Sequence, residues 1–185
     1  PVNAVLTDLY PNVPAFRRAR SGSGGRIGHR AAPVNAMECP AGLEGFRTMF
    51  TALHHFRPAE ARRILADAAA KDVPIAVFEA QERRASTLLV LPVAMLLSAF
   101  LLTPFLGRLS AGRLLLTYVV PLAPLFFAWD TAVSCLRTYS TRELRALTEG
   151  LGGARYNWEI GRIRAGGYLG PYHVTYLIGR PAARG

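Results

Sequence analysis

The stretch Gly45-Phe-Arg-Thr-Met-Phe-Thr-Ala-Leu-His-His-Phe-Arg-Pro58 is an apolar run that ends in two imidazoles and an aromatic ring. Pro58-Ala-Glu-Ala-Arg62 follows at once and opens an alanine-rich segment. Its Ala, Leu and Ile content predicts a helix over residues 59 to 70, with Glu60 near the positive end. The pattern is that of a buried strand delivering polar groups to its carboxyl end, where open α/β sheets bind ligands. A second unit comes next. Val73-Pro-Ile-Ala-Val-Phe78 is a short β-rich run ending in Glu79. Two strands that each end in ionisable groups, with a helix between them, predict a site.

Working outward, Val2-Asn-Ala-Val-Leu6 reads as a short strand with Asp8 past its carboxyl end, and residues 10 to 14 read as a turn. Residues 17 to 30 are basic and glycine-rich and read as a flexible connection. Gly22-Ser-Gly-Gly25 lacks the Gly-Lys-Ser/Thr ending of a phosphate loop. Pro33-Val-Asn-Ala-Met37 is a further short apolar segment. Near the other end, Ser140 or Thr141 with Glu143 signals a helix start, and the glycines at 150, 152 and 153 stop that helix. Tyr156 to Arg164 and His173 to Gly179 predict an antiparallel strand pair.

Between these parts lie 23 uncharged residues from Ala85 to Gly107 and 16 more from Leu114 to Trp129, separated by Arg108-Leu-Ser-Ala-Gly-Arg113. The first run is long enough to cross a bilayer and the second is short for it. Pro92, Pro104, Pro121 and Pro124 interrupt both. A spanning hairpin would carry the tip arginines across the membrane, against the positive-inside tendency, and ranks last. Two readings remain open. One is a monotopic hairpin anchored by Arg83, Arg84, Arg108 and Arg113. The other is a pair of apolar helices packed on the sheet or forming a homodimer interface.

The chain has 185 residues, half of them hydrophobic, which suits a single domain over residues 1–185 with an apolar helical insertion at 85–129. The net charge of +10 comes almost wholly from arginine scattered along the chain, Lys71 being the single lysine. No dense basic run with interleaved aromatics occurs, so no nucleic-acid partner is expected. Attraction to anionic lipid head groups is compatible with the charge. Cys39 and Cys135 lack metal-finger or CxxC spacing and are expected to be reduced. The expected location is cytoplasmic, peripheral on the inner membrane face, and no metal site is expected.

The order is a strand before Asp8, a segment with Asn35-Ala36, a strand ending in Leu53-His-His-Phe56, a helix, a strand ending in Phe78-Glu79, apolar helices and a terminal strand pair. It resembles the class I S-adenosylmethionine-dependent methyltransferases. The resemblance covers residues 2 to 82 and 137 to 181 and rests on the ordered set. It implies a Rossmann-like α/β sheet with helices on both faces and an antiparallel C-terminal pair. It further implies S-adenosylmethionine as cofactor, with Asp8 binding the ribose hydroxyls, Asn35 and Ala36 beside the adenine, and Leu53 beside the cofactor. The chain starts at the family's second strand and lacks the glycine-rich turn after the first. Cofactor binding and methyl transfer are therefore expected to need a segment upstream of Pro1.

His54 and His55 are the candidate base, since imidazole titrates near neutrality, and strand alternation would turn one of them toward the pocket. Glu79 is the candidate group that positions the base or substrate, set against a plain ion pair to Arg83 or Arg84. Asp130 is expected to pair with Arg137, and Trp158 to lie in the core. The expected activity is methyl transfer to a lipophilic or membrane-associated small molecule. The alternative is a non-catalytic, membrane-associated or dimerising module on the same fold.

Overall fold

The computed structural model describes residues 2–43, 45–107, 109–166 and 172–182. The chain is a mixed α/β structure with two sheets. β1 (Ala4–Leu6) and β2 (Ile27–His29) form a parallel pair. β3 (Arg47–Phe50), β4 (Ile75–Glu79), β5 (Tyr156–Ala165) and β6 (Tyr172–Pro181) form a four-stranded sheet in the order β3-β4-β6-β5. β3 runs parallel to β4, and β6 runs antiparallel to both its neighbours.

Helix α1 (Val13–Gly22) joins β1 to β2. It replaces the flexible connection expected over residues 17 to 30. The helix starts at Asn12, whose side-chain oxygen accepts from the Ala15 N–H, and Pro14 occupies the first turn where no N–H is needed. Gly24 and Gly25, both at positive φ, then turn the chain into β2, so the glycine cluster is a helix-to-strand turn.

Helix α2 (Pro58–Ala70) lays Ala61, Ile64, Leu65 and Ala68 against the sheet. These positions repeat at the spacing of one helix face. They meet Leu53, Ile75, Val77 and Leu177, and the cluster is closed by Tyr139, Leu144 and Leu147. Leu144 and Leu147 lie on a later helix, Thr141–Thr148, which a capping box between Ser140 and Glu143 starts as expected. Trp158 packs at the margin of this core and donates its indole N–H to Leu151 O. The Tyr156 hydroxyl donates to Val73 O at 2.7 Å, and burial pushes its pKa up to about 12, so it stays a donor. Both cysteines are free and buried.

The apolar insertion is α3 (Ala85–Leu102), a short α4 (Ala111–Leu114) that runs on as a π-turn over Leu115–Val119, and α5 (Leu122–Arg137). The Thr141–Thr148 helix is therefore α6. α3 packs along α5 and not on the sheet, and none of its residues is buried. The second apolar run is not one helix, because Pro121 cannot donate to the ladder and the two limbs bend by 68° there. The β5–β6 turn at 167–171 lies outside the described residues.

Candidate active site

The site sits where the chain leaves β3 and β4. Thr51 follows β3 directly and holds φ at +51°, a left-handed conformation that a β-branched residue enters only under constraint. Its N–H donates to Phe78 O at 2.7 Å, which locks the strained residue to β4. The reversal this creates feeds a tight 3₁₀ turn, Leu53–His55. The histidines therefore lie on a turn beyond the strand, and strand alternation does not govern them.

Both rings belong to one cluster. His54 and His55 stack with centroids 4.2 Å apart. His54 is buried, and its Nδ1 stands 2.7 Å from Glu79 Oε2, itself buried at the end of β4. Glu79 Oε1 accepts the N–H of Leu53 at 2.8 Å and that of His54 at 3.3 Å. Glu79 thus faces three donor positions, and a neutral His54 that donates from Nδ1 to this carboxylate has its lone pair on Nε2. The ion pair of Glu79 to Arg83 or Arg84 does not occur. Arg83 donates to Thr138 O and Glu143, and Arg84 lies 3.6 Å from Glu82.

His55 is exposed, and its pKa is lowered, first by desolvation and then by His54 and Arg137. The Arg137 guanidinium donates to His55 O at 2.9 Å, and the Tyr139 hydroxyl to Phe56 O at 2.7 Å. The end of α5 is thus clamped onto the histidine turn. The expected Asp130–Arg137 pair does not form among the described residues; Arg137 Nη2 donates to the turn instead. On the other side of the strands, Phe50 and Phe78 stack at 5.4 Å with Phe50 largely exposed.

The residues assigned to the cofactor lie on the first sheet and its outlet. Asp8 follows β1 and accepts from Tyr10 N through Oδ1, and its carbonyl accepts from Val34 N at 2.9 Å. That bond brings the Asp8 turn beside Asn35-Ala36. Asn35 caps the short turn Ala36–Glu38 by accepting from Met37 N. Ala36 packs against the core that holds Leu53. The structure therefore brings His54, His55, Glu79 and Leu53 together, and sets Asp8 beside Asn35 and Ala36. Thr51 and the Phe50–Phe78 pair were missed, and Arg137 was given the wrong partner. A conformation forced at Thr51 leaves no trace in residue type, whereas Phe78, closing an apolar run beside Glu79, was a usable signal.

No protein-family model and no curated protein matches the chain. A solved O-methyltransferase family protein from Burkholderia thailandensis is 14% identical with a TM-score of 0.52, over 99% of this chain and 45% of its own. The chain has the fold of the class I S-adenosylmethionine-dependent methyltransferases. The pyocyanin biosynthetic protein PhzM is 15% identical with a TM-score of 0.49, over 98% of this chain and 43% of its own. The chain spans less than half the length of either structure. Among the described residues the pair β1-β2 and the sheet β3-β4-β6-β5 are not hydrogen-bonded to each other as strands.

Proposed function

We propose that the chain is the catalytic part of an S-adenosylmethionine-dependent methyltransferase whose acceptor is a hydroxyl or amine on a lipophilic small molecule. The observation that carries this reading is the buried His54–Glu79 pair at the carboxyl ends of β3 and β4. Glu79 fixes the tautomer, so His54 presents a basic Nε2 while its other nitrogen is held.

The donor chemistry suits the nucleoside half of the cofactor. Asp8 is exposed, and its Oδ2 remains to accept from ribose hydroxyls, with Asn35-Ala36 beside it for the base. When bound, S-adenosylmethionine supplies an activated methyl group on a sulfonium. As the acceptor's oxygen or nitrogen bonds to the methyl carbon and the carbon–sulfur bond breaks to leave a neutral thioether, His54 would take the acceptor's proton. Glu79 stabilises the imidazolium, and His55 offers a flat surface to the acceptor. Such a transfer depends on alignment more than on covalent assistance. The lipophilic character of the acceptor is supported by the clamp from α5, which ties the exposed apolar hairpin to the histidine turn.

The test is titration calorimetry of S-adenosylmethionine into this chain and into a longer one carrying the upstream residues, paired with a radiolabelled methyl assay on a lipid extract. His54→Gln should leave the heat of binding unchanged and lower turnover. A second reading, a non-catalytic module on the same fold, is favoured by the parting of the two sheets. Absence of binding heat from both chains would establish that second reading.

A further inference from the structure

The uncharged arms of the hairpin are bare. On α3, Leu89, Val90, Val93, Leu97 and Leu101 are each more than half exposed. They line one face of the helix, Met95 and Leu102 are exposed on the opposite side, and no residue of α3 is charged or buried. A surface helix covered by one protein partner keeps a polar side for water, and α3 has none. The start of α5 continues the pattern with exposed Leu125, Phe126 and Trp129 and an apolar groove beside Leu116 and Leu122.

Charge marks where this surface ends. Arg83 and Arg84 stand at the foot of α3, Arg113 at the far turn, and Asp130 closes the uncharged part of α5 just after Trp129. Trp129, exposed at that boundary, is the residue type that settles at a membrane–water interface. The excess of arginine fits anionic head groups.

We infer that the α3–α5 hairpin embeds in an anionic lipid bilayer as a re-entrant anchor that enters and leaves by the same leaflet. α3 with the turn after it, Ala85–Phe105, is a 21-residue apolar stretch long enough to cross. Its partner limb is not, because it bends by 68° at Pro121 and its uncharged part ends at Trp129. The tip therefore returns Arg113 to the head groups it came from, its stem lying along the acyl chains. Arg137 and the clamp on His55 then hold the histidine turn at the lipid surface. This inference does not rest on the chemistry proposed above, since partition reports where the chain goes and not what it catalyses.

The experiment floats the full chain with vesicles of phosphatidylcholine alone and of phosphatidylcholine with phosphatidylglycerol in equal parts. The chain should float with the mixed vesicles, and less with the neutral ones. Val93→Glu/Leu97→Glu alters exposed positions on α3, so its circular dichroism should match the parent while partition falls by roughly a hundredfold or more. Unchanged flotation of that variant would overturn the anchor. So would a lipid-free dimer in sedimentation that ignores the vesicles. For topology, Leu109→Cys is mixed with sealed vesicles holding an impermeant thiol reagent. Absence of labelling agrees with re-entry, and labelling from the lumen would show a crossing hairpin and overturn it.

Discussion

His54 Nδ1 lies 2.7 Å from Glu79 Oε2 across the ends of two adjacent parallel strands, though 25 residues separate the two in sequence. The same carboxylate closes the N–H groups of Leu53 and His54, so one side chain fixes the turn and orients the ring. Replacing it by alanine leaves two buried N–H groups and an imidazole without their acceptor. Glu79→Ala should cost roughly 2–4 kcal/mol in urea unfolding. Glu79→Gln keeps an acceptor for the backbone and should cost less, yet lower turnover by about two orders of magnitude or more because it no longer dictates the tautomer. Equal stability of the two variants would refute this division of roles.

Asp8→Ala should weaken S-adenosylmethionine binding by a charge-assisted hydrogen-bonded group, about 1.5–3 kcal/mol, in titration calorimetry. Asp8 also ties its own turn through Tyr10 N, so Asp8→Asn is the control for folding. Unchanged affinity in both would remove Asp8 from the cofactor site.

The His55 imidazole is held below its ordinary value of 6.5, chiefly by desolvation and then by its electrostatic neighbours His54 and Arg137. Between its folded and unfolded values the unfolded chain binds the extra proton. His55 therefore withdraws stability as pH falls below 6.5 and has no such effect above it. Urea midpoints of the parent and His55→Ala, compared on either side of that value, should converge as the solution is acidified. A His55 ring resonance titrating at or above 6.5 would contradict the assignment.

Burial alone would raise the Asp67 carboxyl, but hydrogen bonds from Lys71, Arg47 and the Cys39 N–H hold it below the ordinary 3.8. Its contribution is complete above that value and is lost as pH falls through the folded one. Asp67→Asn should destabilise the chain by roughly 1.5–3 kcal/mol at neutral pH. The difference should shrink in strong acid, and a constant difference across pH would mean packing and not charge.

A Cβ at Gly179 would stand 2.4 Å from the Trp158 ring and 2.6 Å from Tyr156. Gly179→Ala should cost about 1–3 kcal/mol by overpacking. Combining it with Trp158→Leu should recover part of that loss in a double-mutant cycle. Strict additivity would show that the ring does not set the constraint.

Much of this was legible in residue types. Helix α2, the Ser140–Glu143 cap and the terminal strand pair each carry a local signal, either a period, a capping pair or a run between glycines. Glu79 and the histidines stood out because ionisable groups rarely close apolar runs without a purpose. What escaped was set by distant partners. Arginines and glycines between 17 and 30 hid α1 and β2, because Asn12 starts the helix from a segment that reads as a turn. Arg137 looked like a mate for Asp130 on the same helix, but a backbone carbonyl on another element takes it. The parting of the sheet into two pieces has no mark in any single stretch.

That parting bears on how the protein keeps in solution. Among the described residues β1 pairs only with β2 and β3 only with β4, which leaves an open main-chain edge beside exposed Val5 and Phe50. Detergent that coats α3 and α5 does nothing for these edges, because their unmet groups are amides and carbonyls and not hydrocarbon. Clouding therefore has two chemically separate origins, one reversed by detergent and the other growing strand upon strand. The brevity of β1 and β3, three and four residues, slows the second route. Clear concentrated stocks are better kept by filling or charging those edges than by adding more detergent.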